Sequence, residues 1–180
     1  MEPGDHFLVV YESLNERDLL AVVFLESALK RKDFIVFFLE GNEGIIRHLA
    51  KKNSGALERS KKRGTFLTVD SDQAFGKPPN LASFGSYYRE LVRESQERSL
   101  RLSLLGEFPV KFFNEHEARE TIERFINGDT SNRRPAFLCM VRKDNLFSLD
   151  PANMLILVES HDSTLLRGNP INKSNGHHAA

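Results

Sequence analysis

With 180 residues, 40% of them hydrophobic and 28% charged, the chain is long enough to bury one substantial core and has the composition of a soluble globular domain. Its 25 basic and 25 acidic residues cancel, which argues against a nucleic-acid surface or an anionic membrane as partner. No apolar run nears the roughly 20 residues of a membrane helix, Glu2 and Asp5 occupy the start where a secretory signal would need positive charge and an apolar stretch, and the lone Cys139 excludes an internal disulfide and a cysteine-rich zinc site. The expected location is the cytoplasm.

In chain order, short apolar runs alternate with longer amphipathic segments, the signature of βα units around a mainly parallel sheet. Near-continuous apolar runs at Phe7–Tyr11, Phe34–Leu39, Gly64–Val69, Leu100–Leu105 and Ala136–Val141 read as strands covered on both faces. Helical periodicity marks Glu16–Arg31, Glu43–Lys52, Leu81–Arg98 and Glu115–Ile126, the last entered through Asn114 with Glu117 three residues on. Pro151–Ser160 has β-branched content, but a proline at the first helical position after Asp150 favours helix. A short strand follows near Thr164–Leu166. From Gly168 the residues are polar and aperiodic, so the expected organisation is one α/β three-layer domain over residues 5–167 and a disordered tail over 168–180. His177 and His178 lie in that tail and read as incidental; no metal site and no cofactor are expected.

The turn after the first strand, Glu12-Ser13-Leu14-Asn15-Glu16-Arg17-Asp18, stands where an α/β nucleotide-binding protein carries its phosphate loop. Such a loop needs glycines to gather backbone N–H groups, a lysine for the β- and γ-phosphates, and a hydroxyl for magnesium. This turn offers one serine, one arginine and three carboxylates. The acids oppose a triphosphate, and Glu16 and Asp18 complement the positive end of the helix that follows.

The segments His6-Phe-Leu-Val-Val-Tyr-Glu12, Phe24 to Lys32 leading into Ile35-Val-Phe-Phe-Leu-Glu40, Arg101 to Phe108, and Ala136 to Phe147 with a later helix ending in His161 together resemble the MEDS domain. That sensory domain is named for methanogens, methylotrophs and the dichloromethane-responsive regulator. The likeness spans Asp5 to Arg167. Where the family often carries Gln-Tyr-Asp after the cysteine, this chain has Met140-Val141-Arg142. The resemblance implies a RecA-like, circadian-clock-ATPase-like core with a degenerate phosphate loop, serving as a signal-input module. It also implies that Glu40 matches the catalytic base of working relatives.

Ligands of open α/β sheets sit beyond the carboxyl ends of the strands. The chain places there Tyr11 and Glu12, Glu40, Asp70, Glu107 and Phe108, and Arg142, and these seven are the expected ligand-binding residues. Glu107 is favoured because Gly106 beside it permits close backbone approach. The loop Asp70–Asn80 is long enough for a lid, with Phe75, Tyr87 and Tyr88 as an aromatic wall for a small organic ligand, although most of the 14 phenylalanines must be core. The expected function is therefore a non-catalytic sensory domain, with a small organic ligand and a histidine kinase, a transcription regulator or a second copy as partners. Two alternatives remain. One is weak nucleotide hydrolysis through Glu40 and Glu107, with Arg17 or Arg142 binding phosphate; the other is a ligand-free interaction scaffold.

Overall fold

The computed structural model describes residues 5–38, 41–77, 80–107, 135–166 and 169–172. Its strands are β1 (His6–Tyr11), β2 (Phe34–Phe38), β3 (Phe66–Thr68), β4 (Leu102–Glu107), β5 (Ala136–Arg142), β6 (Ser163–Leu166) and β7 (Asn169–Asn172). The described helices are α1 (Leu14–Arg31), α2 (Glu43–Lys62), α3 (Ser71–Phe75), α4 (Leu81–Glu97), α5 (Lys143–Phe147) and α6 (Pro151–Glu159). One sheet holds them together in the order β3-β2-β4-β5-β1-β6-β7. The first six strands in this order are parallel, and β7 closes the edge antiparallel to β6.

Right-handed crossovers dictate the layers. The steps from β1 to β2 and from β2 to β3 run one way along the sheet, which puts α1 and α2 on one face. The steps from β3 to β4 and from β5 to β6 run the other way, which puts α3, α4, α5 and α6 on the opposite face. Two cores result. Ala21, Val22, Leu25, Ile45 and Leu49 of the first pair pack on Val9, Ile35, Leu105 and Met140. Phe75, Phe84, Tyr88, Leu146 and Leu157 pack on Leu8, Phe38, Leu104 and Phe137. The period-2 alternation within each strand sorts its residues between the two.

Several boundaries differ from the sequence reading for local reasons. The second helix does not end at Lys52: after non-helical dihedrals at Asn53 it resumes to Lys62, whose basic last turn suits the negative helix end. Gly64, at φ +64°, turns the chain into β3. The proposed lid contains α3, capped by Asp70, and its Phe75 stacks on Phe84 with ring centroids 5.0 Å apart. Phe75 and Tyr88 are thus core residues, not a ligand wall. Pro151 does begin a helix, with the Asp150 carboxylate accepting from the N–H groups of Ala152 and Asn153. The tail expectation is corrected at Asn169–Asn172, because a β6 edge offers backbone partners that any extended segment can use, apolar periodicity or not. The expected helix Glu115–Ile126 lies outside the described residues. No helix among those described is long and apolar enough to cross a membrane.

Candidate functional site

Only Glu12 and Ser13 separate β1 from α1. Ser13 caps the helix, accepting from the Glu16 N–H at 3.2 Å, while the Glu16 carboxylate reaches back to the Glu12 N–H at 2.9 Å. This is a variant of the capping box, and it uses the Glu16 amide of the first turn and the Glu12 amide before it internally. Two residues without a glycine gather no nest of N–H groups. The turn therefore does not fit a triphosphate.

What fills the place is Arg17. It is 4% exposed, and its guanidinium forks onto Asp18 Oδ1 from Nε at 2.9 Å and Nη2 at 2.7 Å. Nη2 also donates to the Gly41 carbonyl at 3.1 Å, and Nη1 stands 3.9 Å from Glu107 Oε2. Across β5, Tyr11 donates its hydroxyl to Glu107 Oε1 at 2.5 Å. Burial raises the phenol pKa most, and the accepted hydrogen bond and the Glu107 charge add to it, against the opposing pull of Arg17 and Arg142. The network ties the first turn of α1 to the end of β4 and to the entry of α2. Arg17 is consequently committed to protein partners and does not extend into solvent as a phosphate ligand.

The seven expected residues divide. Tyr11 and Glu107 meet directly. Glu12 pairs instead with Lys143 at 2.7 Å, and Arg142 stands 3.4 Å from Asp144 with its side chain about half exposed. Asp70 lies apart, in a polar cavity of about 500 Å³ at the ends of β2 and β3 with Gly41, Asn42, Glu43 and Asp72. Glu40 and Phe108 lie outside the described residues. Gly106 does not leave room for a ligand beside Glu107: a Cβ there would stand 1.8 Å from the Phe38 ring, so the absent side chain is space for an aromatic core residue.

Sequence reasoning did not find the second cavity. About 310 Å³ in volume, it lies between α1 and the β5-β1-β6 part of the sheet, lined chiefly by Phe7, Val9, Leu20, Phe24, Leu138 and Leu165. Ser27 and Arg31 give it a polar margin, the latter held by Asp33 at 2.8 Å. Its walls come from residues more than 130 positions apart. The available signal was topological: a sheet that continues past β1 to β6 outruns the two described helices on that face.

No protein-family model and no curated protein matches the chain. Solved structures do. A KaiC-like protein from the hyperthermophilic archaeon Pyrococcus horikoshii OT3 superposes with a TM-score of 0.59 at 14% identity, over 91% of this chain and 72% of that one. The flagellar accessory protein FlaH of Methanocaldococcus jannaschii gives 0.58 at 9% identity, over 94% of this chain and 76% of that one. At such identities the likeness establishes the fold, which is RecA- and KaiC-like.

Proposed function

We propose that this chain is a non-catalytic signal-input domain of the MEDS type, which takes a small organic molecule into the apolar cavity under α1 and passes the change to a partner protein. The observation that carries the reading is the double engagement of α1. Along its length this helix is the wall of a cavity of ligand size, and at its first turn Arg17 latches it to β4 and α2. A molecule entering the cavity presses on Leu20 and Phe24 and shifts the helix against that latch. The same helix presents Leu19, and one turn on Val23 at the rim of the cavity, each 59% exposed, to a histidine kinase, a transcription regulator or a second copy.

Apolar walls with a few polar groups at one margin suit a small, weakly polar compound. A nucleotide is disfavoured at both ends of the candidate surface. The β1 turn lacks a phosphate nest, and the polar cavity by β2 and β3 brings Glu43, Asp70 and Asp72 together. Expected affinity for Mg-ATP is millimolar or weaker, about 4 kcal/mol of binding.

Thermal-shift and calorimetric screening of small organic compounds and nucleotides tests this. At a hundredfold excess over its Kd a bound compound adds about 2.7 kcal/mol of stability. In a chain of this size that is a rise of roughly 5–10 °C in Tm. The rise should vanish in Leu165→Phe, which fills the cavity. A folded protein whose Tm no compound moves, or one that binds ATP at micromolar concentration, would overturn the proposal.

A further inference from the structure

On the opposite face of β1 from the cavity, three side chains with metal-ligating atoms converge inside the core. They are His6 at the start of β1, Cys139 in the middle of β5, and His161 in the turn between α6 and β6. Each is at most 4% exposed, and one ligand atom from each lies within 4.8 Å of the other two. His6 Nε2 and Cys139 Sγ are 3.2 Å apart, and the two imidazole rings face one another with centroids 3.9 Å apart and planes 36° from parallel.

We infer that His6, Cys139 and His161 form a buried site for a thiophilic closed-shell metal ion, Cu⁺ or Zn²⁺. Metal–sulfur and metal–nitrogen bonds of about 2.3 and 2.0–2.1 Å in a tetrahedral site set donor atoms about 3.4–3.6 Å apart. The His6–Cys139 separation is within a few tenths of an ångström of that. Closing the third ligand takes about an ångström, with the imidazoles opening from their facing arrangement so that both aim nitrogen lone pairs at one point.

The surroundings prepare this. The Leu157 carbonyl can only accept, so the 2.7 Å contact fixes the hydrogen of His161 on Nδ1 and leaves the Nε2 lone pair for coordination. A ring N–H given to a backbone carbonyl is the usual support of a metal-bound histidine. His6 is held by its backbone instead. Its N–H donates to Asp162 Oδ2 at 2.9 Å and its carbonyl accepts from the Asp162 N–H at 2.9 Å, so the residue after one ligand positions another. The Phe137 ring stands edge-on at 5.2 Å and helps to exclude water.

Two imidazoles side by side are a costly choice for an aromatic and aliphatic core, and the thiol beside them adds a soft ligand atom. Thiolate and imidazole ligands together suit Cu⁺ and Zn²⁺ and discriminate against Mg²⁺ and Ca²⁺. Burial pushes the Cys139 thiol well above its ordinary pKa. Binding therefore displaces a proton: the S–H bond breaks, a metal–sulfur bond forms, and H⁺ leaves to solvent. With Cu⁺ the thiolate complex is neutral, which a buried setting favours over the net positive Zn²⁺ complex.

The test uses the full chain with His177→Ala and His178→Ala, which removes the two tail imidazoles from the count. Loaded anaerobically with Cu⁺ or Zn²⁺ and passed over a chelating column, it should retain about one equivalent of at least one ion. Retention should fall at least about tenfold in Cys139→Ser and in His161→Gln with circular dichroism unchanged. X-ray absorption of the loaded protein, which needs no ligand variant to fold, should show one sulfur at about 2.3 Å with nitrogen at about 2.0 Å. Retention of neither ion, retention indifferent to Cys139→Ser, or a coordination shell without sulfur would each overturn the inference.

Discussion

The two faces of the sheet are built from the same strands yet differ in how completely they close. Beneath α3, α4, α5 and α6 the core is aromatic: Phe38 lies against Phe75, Phe84 and Phe137 with ring centroids 6.0–6.2 Å away, and Gly106 is hollowed to admit it. Beneath α1 and α2 it is mostly aliphatic and leaves about 310 Å³ open where the sheet runs on to β6. The difference shows that coverage follows chain order. From β1 the chain crosses to β2 and on to β3 at one edge, then returns through β4 and β5 to β6 beyond β1; each crossover face is set by handedness, and among the described helices only two fall on the α1 side.

The largest effects are expected on the closed face. Leu104 is fully buried in β4, so Leu104→Ala should cost about 2–5 kcal/mol through lost transfer energy and a cavity that its neighbours cannot fill. Urea unfolding measures it, and a loss under about 1 kcal/mol would contradict central placement of the strand. Gly106→Ala should cost about 3 kcal/mol, at the upper end for overpacking, because the displaced Phe38 ring has aromatic neighbours on several sides.

At the strand ends, Tyr11→Phe removes a hydrogen bond to a carboxylate and should cost about 1.5–3 kcal/mol at neutral pH. The sign of its pH dependence follows from the raised pKa. The folded protein holds the phenol proton more tightly than the unfolded chain, so this stabilisation is complete below pH about 10 and is lost as pH rises beyond it. The gap between the wild-type and Tyr11→Phe proteins in equilibrium unfolding should therefore narrow above that pH. A constant gap would dissociate Tyr11 from Glu107.

The smallest effect sharpens the contrast between faces. Leu165→Phe, directed at the cavity, should change stability by less than about 1 kcal/mol, whereas Leu8→Phe on the closed side of neighbouring β1 should cost about 1–3 kcal/mol. Equal costs for the two would mean that the open face is packed as tightly as the closed one.

Residue pattern alone determined the α/β class, the five main strands and the absence of a phosphate loop, because each is written locally. Apolar runs, helical period and the glycine-free turn need no distant partner to be read. The cap at Asp150 and the helix it starts were legible for the same reason. Tertiary structure decided the rest. Arg17 looks like any charged residue of a first helical turn until the ends of β4 and α2 close around it. Gly106 reads as an opening until Phe38, 68 residues earlier on a strand paired beside it, occupies the space. His6, Cys139 and His161 are separated by 133 and 22 positions, and only the pairing of β5 and β6 on either side of β1 brings them together. Strand order is a global outcome of handedness and burial, and it fixes which distant side chains become neighbours.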